Sequence, residues 1–356
     1  MVQLSKPKSY YRKWVETEGI PIIDGHYVES LQEVDVFPWP RLGGLGVYIN
    51  HEASDVSNDC YVAEIPPGQA LVPQRHFFEI MIYVLRGRGA TTVWYGTGPK
   101  RTFEWQAGSL FAIPLNAHYQ HFNGQGAEPC RFLAVTNCPM VMNMVQSVEF
   151  IFGCDFEFRD RFNGEEDYFS GAGELRGRTW ETNFVPDLKI FEGMLDYKER
   201  GAGGRNVRFR LAKNAMRAHI SEFPVGTYKK GHRHGPGAHV VVVSGRGYSL
   251  MWREGEPIQE FPWRPGTLLI PPNQWFHQHF NTGPEPARYL ALRLGGLGTQ
   301  PERTSDGLSK STVDRKLGGD QIEYEDEDPM IRQKYLEACA QNGVAVQMET
   351  FWQRPG

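Results

Sequence analysis

Two segments of the chain, Leu85-Arg-Gly-Arg-Gly89 and Val243-Ser-Gly-Arg-Gly247, lie 158 residues apart, and the same spacing recurs elsewhere. It relates Gly68 to Gly226, Gly108 to Gly266, and Gln120-His-Phe-Asn123 to the identical Gln278-His-Phe-Asn281. Upstream, Glu64-Ile-Pro66 falls on Glu222-Phe-Pro224. Beyond Asn281 the spacing shortens by one, so that Glu128-Pro-Cys-Arg131 falls on Glu285-Pro-Ala-Arg288. A spacing held across about 60 residues marks an internal duplication, and it constrains the chain to two copies of one unit.

Each copy reads as antiparallel strands. Short runs rich in Val, Ile, Tyr, Phe and Trp are bounded by Gly, Pro and Asn at spacings of roughly 8–12 residues. Glu79–Leu85, Ala90–Tyr95 and Leu110–Ile113 are mirrored by His239–Val243, Tyr248–Trp252 and Leu268–Ile270. No helical pattern between them is long enough for parallel βαβ units. The expectation is an all-β protein of two tandem barrels. Residues 1–154 hold the first barrel, 155–216 a connecting segment, 217–297 the second barrel, and 298–356 a polar tail. In the tail, Asp326-Glu-Asp-Pro-Met330 precedes Ile331–Gln341 and Gly343 follows it, which predicts one short C-terminal helix. The acidic run Glu323–Asp328 reads as a solvated entry to that helix.

Composition excludes several partners. The 356 residues carry 38 basic and 42 acidic side chains, a net charge of −4, which gives no electrostatic case for nucleic acid or an anionic membrane surface. The longest apolar runs, such as Val240–Val243, are far too short to span a bilayer. Five cysteines without CxxC spacing read as reduced thiols, and Met1 to Trp14 lack the apolar segment of a secretory signal. Both readings point to a cytoplasmic protein. Exposed barrel edges favour a homo-oligomer.

The histidines carry the chemistry. Five of the 11 are His232, His234, His239, His277 and His279. His232 and His234 alternate, as do His277 and His279, so on strands each pair presents both rings to one face. Inward pairs from neighbouring strands can converge on one ion, and imidazole suits Fe, Zn, Ni or Cu. In the first copy the corresponding positions are Gln74, His76, Met81, Tyr119 and His121. Gln and Met are poor ligands for a hard divalent ion, so this copy is expected to serve as a scaffold or dimer-forming barrel. A small polar ligand on His76, Tyr119 and His121, or a second metal on His76, Glu79 and His121, stays open.

Gly226-Thr-Tyr-Lys-Lys-Gly-His232-Arg-His234, followed by His239 and Gly245, resembles the first motif of the cupin superfamily. Gly266 through Pro272 to His277 and Asn281 resembles the second. Because both copies share the pattern, the whole chain resembles a bicupin, which implies two jelly-roll-like barrels. The resemblance puts His232, His234 and His277 on metal-ligand positions. His239 stands where many cupins carry a ligand glutamate, and it either completes the shell or packs beside it. His279 lies two residues beyond the usual ligand and is a candidate for hydrogen bonding to substrate and for acid–base work. The segments around His232-Arg-His234 and Trp275-Phe-His277-Gln-His279 are similar to the gentisate 1,2-dioxygenase branch of bicupins.

That resemblance implies an Fe(II) dioxygenase that uses O2 on a small phenolic or enolisable chelating substrate. Zn, Ni, Mn and Cu are the other candidate ions. Trp275 is a candidate aromatic wall, with core packing as its other reading, and Tyr248 is a further candidate for substrate contact. Two alternatives stand beside the dioxygenase: a metal-dependent isomerase, decarboxylase or lyase of a small oxygenated acid or sugar, and a non-catalytic small-molecule-binding bicupin. Neither a dinucleotide-binding GxGxxG nor a P-loop is present.

Overall fold

The computed structural model describes residues 7–50, 57–235, 237–295 and 309–352. The polar stretch that opens the tail falls outside these residues, as does Pro236 of the first motif. Most regular elements of the described chain are β-strands, and they form two barrels, each a large sheet facing a three-stranded one.

The duplication is visible strand by strand. In the first barrel Asp59–Ile65, Ile80–Arg86, Arg88–Trp94 and His118–Phe122 take the places that Met216–Phe223, His239–Ser244, Gly247–Trp252 and Phe276–Asn281 take in the second. Even isolated bridges repeat: Gln74 pairs with Tyr119 and His232 with His277, while Ala70 pairs with Phe122 and Tyr228 with Phe280. Repeated glycines mark turns with positive φ, as at Gly108 (φ 99°) and Gly266 (φ 91°), where residues with a Cβ are strained.

The expected boundaries between barrels and linker are crossed by the chain. Tyr27–Val28, near the N-terminus, pairs with Leu268–Leu269 in the large sheet of the second barrel. Phe184–Val185, from the connecting segment, pairs with Leu110–Phe111 of the first. Arg205–Arg210, also in that segment, is an interior strand of the second sheet. Two arginines clamp the chain just beyond the first two of these segments. Arg131 bonds Glu64 and donates to the carbonyls of Leu31, Gln32 and Val34. Arg288 bonds Glu222 and donates to those of Leu188, Lys189 and Phe191. Sequence periodicity does not report which sheet a two-residue strand joins.

The large sheets pack back to back, so a strand such as Ile80–Arg86 of the first is apolar on both faces. Ile80, Ile82 and Val84 point into the first barrel, whereas Met81, Tyr83 and Leu85 join Val241 and Val243 in the core between barrels. The interiors differ. The first is filled by a large aromatic cluster that includes Trp39, Tyr61, Phe111 and Phe132, while the second has a smaller apolar cluster around Val240, Val242 and Trp263. That difference leaves room in the second barrel for polar groups.

The tail helix spans Pro329–Gln341, capped by the Asp328 side chain and followed by Gly343 at φ 66°. Its Tyr335 and Cys339 pack with Tyr228, Tyr248 and Phe280 on the outside of the second barrel. The acidic run ahead of it is not simply solvated. Glu327 accepts hydrogen bonds from the Tyr228 hydroxyl and the Gln278 amide. Burial pushes its carboxyl up to about 7, against the lowering effect of those two bonds. The folded state therefore holds this proton more tightly than the unfolded chain does. Stability is predicted to fall as pH rises from about 4.5 to about 7 and then to level, a contribution of up to about 3 kcal/mol. Urea denaturation across this range should show that Glu327→Gln lacks this decline.

Candidate metal centre

Backbone pairing brings the ligands together. The His232 and His277 backbones exchange hydrogen bonds of 3.1 and 2.8 Å, which sets their ring centroids 4.1 Å apart. The His234 ring lies 4.8 Å from that of His277. One ligand nitrogen from each of His232, His234 and His277 lies within 4.8 Å of the others. His277 and His279 share a face of the strand Phe276–Asn281, as their alternation predicts. His232 and His234 do not lie on a regular strand. They sit on an extended segment between Gly231 and Gly235, where only His232 forms bridges, to His277 and to Gln321 of the tail.

Each of the three rings is oriented by a backbone carbonyl near its Nδ1: Lys230 O at 3.4 Å for His232, Gly235 O at 2.7 Å for His234, and Trp275 O at 3.2 Å for His277. An Nδ1–H donated to a carbonyl leaves Nε2 as the lone-pair donor, the arrangement that positions metal-binding histidines. Burial holds all three below the usual imidazole range, His277 down to about 3, so they are neutral near pH 7. The donor set fits a divalent first-row ion, with three neutral nitrogens on one side and open positions on the other.

His239 is not part of this cluster, and of the two readings left open for it the structure has the one in which it packs beside the shell. Ala238 and Val240 line the cavity, so strand alternation turns His239 the other way, onto the face shared with Val241 and Val243. There its Nδ1 lies 2.9 Å from the Asn58 amide of the first barrel. His279 does line the cavity, with Nδ1 2.7 Å from Ser249 Oγ and its ring 5.8 Å from that of His277. Tyr248 lies on the opposite face of its strand, stacked on Phe280 beneath the tail helix. Trp275 packs beside His26, also away from the cavity. Neither is placed to touch a substrate bound at the histidines.

The cavity, about 100 Å³, has a wall that the motifs did not reveal. Arg200, Arg208, Lys229 and Arg293 line it together with His219 and Tyr289, and no carboxylate does among the described residues. Lys229 donates to Ser221 and, at 3.3 Å, to the Tyr289 hydroxyl. Burial raises the Tyr289 hydroxyl, but Lys229, Ser221 and Arg200 together more than offset this and hold it below its ordinary value. The alternation of Asn206 with Arg208, and of Tyr289 with Arg293, was the available signal. Without knowing that Arg205–Arg210 is a barrel strand, those charges read as solvated.

Among the described residues the first barrel offers no equivalent centre. His76 is bonded at both nitrogens, Nδ1 to Phe78 O and Nε2 to the Tyr119 hydroxyl, each at 2.9 Å. His121 Nδ1 meets Thr91 Oγ1 at 2.7 Å. Glu79 faces away from both and accepts from the backbone of Ala215 and Met216 and from Arg161. It is a strut between barrels and not a ligand beside His76. Arg41 enters this barrel, with Nε 2.5 Å from Glu18 and Nη1 2.9 Å from Gln74, the counterpart of His232. An internal guanidinium thus supplies a cation where the second barrel gathers imidazoles.

No family model matches the sequence, and no curated protein gives a significant match. Solved structures do match in fold. A sequence variant of Bacillus subtilis oxalate decarboxylase aligns with a TM-score of 0.50 at 13% identity, covering 77% of this chain and 78% of that one. The chain has the tandem-cupin fold. A structure of the Bacillus subtilis enzyme concerned with its Mn(II) centres gives a TM-score of 0.50 at 14% identity over the same shares. Another oxalate decarboxylase structure, concerned with substrate binding mode, gives 0.50 at 13%, again over 77% and 78%. These bicupins are decarboxylases, and none of the three bears out a gentisate dioxygenase. No helix of the described residues is long and apolar enough to cross a membrane.

Replacing His277 by Ala is predicted to abolish stoichiometric metal binding, whereas His239→Ala retains it. Elemental analysis of both variants, with circular dichroism to verify folding, checks the assignment.

Proposed function

We propose that this protein is a metal-dependent enzyme that decarboxylates a small oxygenated carboxylic acid at the second barrel. The observation that carries the reading is a three-imidazole cluster opening onto a small cavity walled by four cationic side chains and, among the described residues, no carboxylate. Such a wall favours anions, and its low-dielectric surroundings strengthen the attraction. The size also argues for a compact substrate. About 100 Å³ is less than the roughly 150 Å³ cavity that accommodates benzene. The oxalate decarboxylase neighbours support the same class through their fold.

An ion held by His232, His234 and His277 would supply Lewis-acid polarisation of the bound acid, with Mn(II) and Fe(II) as the candidates. The remaining work falls to the chain. The cationic wall binds the carboxylate, and Ser249 orients His279 toward the substrate. In the bond-breaking step the carbon–carboxylate bond breaks, CO2 leaves, and the electron pair stays on carbon. A proton must then reach that carbon. Tyr289, with its hydroxyl beside the Lys229 ammonium, is the group set to donate it and to be recharged through Lys229.

The test is a panel of small oxygenated acids together with gentisate and catechol, assayed for CO2 release and net O2 consumption. The proposal requires CO2 release without net O2 uptake, lost on chelation and restored by Mn(II) or Fe(II). Net O2 uptake with a phenolic substrate would restore the dioxygenase reading. Tyr289→Phe should lower kcat by about 10²-fold or more with metal content unchanged.

A further inference from the structure

Several inward-reaching arginines among the described residues have a carboxylate partner. Arg131 meets Glu64, Arg288 meets Glu222, Arg41 meets Glu18 and Arg233 meets Asp320, all at 2.8 Å or less. The cavity of the second barrel breaks this pattern. Among the described residues no acidic side chain forms an ion pair with Arg200, Arg208 or Arg293, though all three line one small space. The Nη1 atom of Arg200 is buried and has no hydrogen-bond partner. Its Nη2 reaches Ser311 at 3.4 Å, and the guanidinium also meets the Tyr197 hydroxyl, both neutral partners.

The duplication supplies an internal control. Backbone bonds fix the turn ahead of the strand Gly44–Asn50 to Val72, and the turn ahead of Arg205–Arg210 to Lys230, its counterpart. Each turn delivers one arginine into its barrel, Arg41 in the first and Arg200 in the second. In the first barrel Glu18 and Gln74 satisfy the guanidinium. In the second the same architectural position ends in an unsatisfied donor facing the cavity. A buried guanidinium without a counter-charge is costly, and a bound anion removes that cost.

Strand register places the other two arginines on the same wall. Arg208 pairs with His219 on one side of the strand Met216–Phe223, and Ala291 pairs with His219 on the other. Arg293 follows Ala291 on the same face, so Arg208 and Arg293 flank one strand diagonally. This cluster sits on the large sheet, whereas His277 and His279 lie on the facing three-stranded sheet. The two sets therefore approach a ligand from opposite walls.

We propose that Arg200 and Arg293, with Arg208 beside them, form a subsite for a second anionic group of the substrate. That group is a carboxylate or phosphate that does not reach the three histidines. Guanidinium forks recognise either oxyanion by paired hydrogen bonds. The substrate class is thus a compact acid with two separated anionic ends, one for the histidine cluster and one for the arginines. This inference rests on the reading of the cavity as the substrate site, and it adds what selects the substrate there.

Calorimetric titration of the metal-loaded protein tests it without requiring turnover. The probes are succinate, its half-amide succinamate, and 3-phosphonopropionate, with malonate and glutarate to vary length. Wild-type protein should bind at least one two-anion probe about tenfold or more tightly than succinamate. Tighter binding of 3-phosphonopropionate than of succinate assigns the second group as phosphate-like, and the reverse order assigns a carboxylate. Arg200→Gln and Arg293→Gln should weaken two-anion probes about tenfold or more beyond any loss of succinamate binding, and so remove the preference, with metal content unchanged. Equal wild-type affinity for one-anion and two-anion probes would overturn the subsite, as would variants that lose both equally. If the preference holds while no acid releases CO2, the decarboxylase reading fails alone. If monoanionic acids are turned over without the preference, the subsite fails alone.

Discussion

Three imidazoles whose Nδ1 atoms face carbonyls of their own chain have one useful nitrogen left each, and those three nitrogens share a target. The organisation of the second barrel follows from that constraint. The His232 and His277 backbones must pair so that their rings meet, and the tail must bridge His232 from its other side. The wall opposite must be polar enough to accept a ligand. A divalent ion would organise the lone pairs of the three neutral imidazoles, and the cations opposite call for an anionic ligand to balance the charge.

The two barrels show how one backbone can carry opposite interiors. Their strands, bridges and arginine clamps correspond closely, so the backbone alone does not decide which barrel holds a site. Side chains do. Where His232 and His277 stand in the second barrel, the first has Gln74 and Tyr119, and an arginine–glutamate pair enters where an ion would bring charge. Aromatic rings then fill the space. The first barrel keeps the shape of its partner, supplies Asn58 behind His239 and Glu79 beneath Ala215 and Met216, and so supports the candidate site of the second.

Much of this was legible in the sequence because duplication and alternation are local signals. The 158-residue spacing gave the two barrels, and the spacing of His232, His234 and His277 gave the cluster. Alternation also contained the answer for His239, since it falls out of phase with Ala238 and Val240, but only the structure says which of the two phases faces the cavity. The same uncertainty of face put Tyr248 forward. The strand exchange of Tyr27–Val28 and Phe184–Val185 left no trace, because a two-residue strand has no periodicity to read. The cationic wall was hidden for a related reason. Arg200, Arg208 and Arg293 come from a turn and two different strands, and only the closed barrel makes their charges neighbours.

The central claim is that one metal ion is held by the second barrel alone. Anomalous diffraction from crystals of the protein grown with Mn(II) or Fe(II) tests it most directly. The account predicts one strong peak per chain, within bonding distance of Nε2 of His232, His234 and His277. A peak of comparable strength beside His76 and His121, or one coordinated by His239, would contradict it.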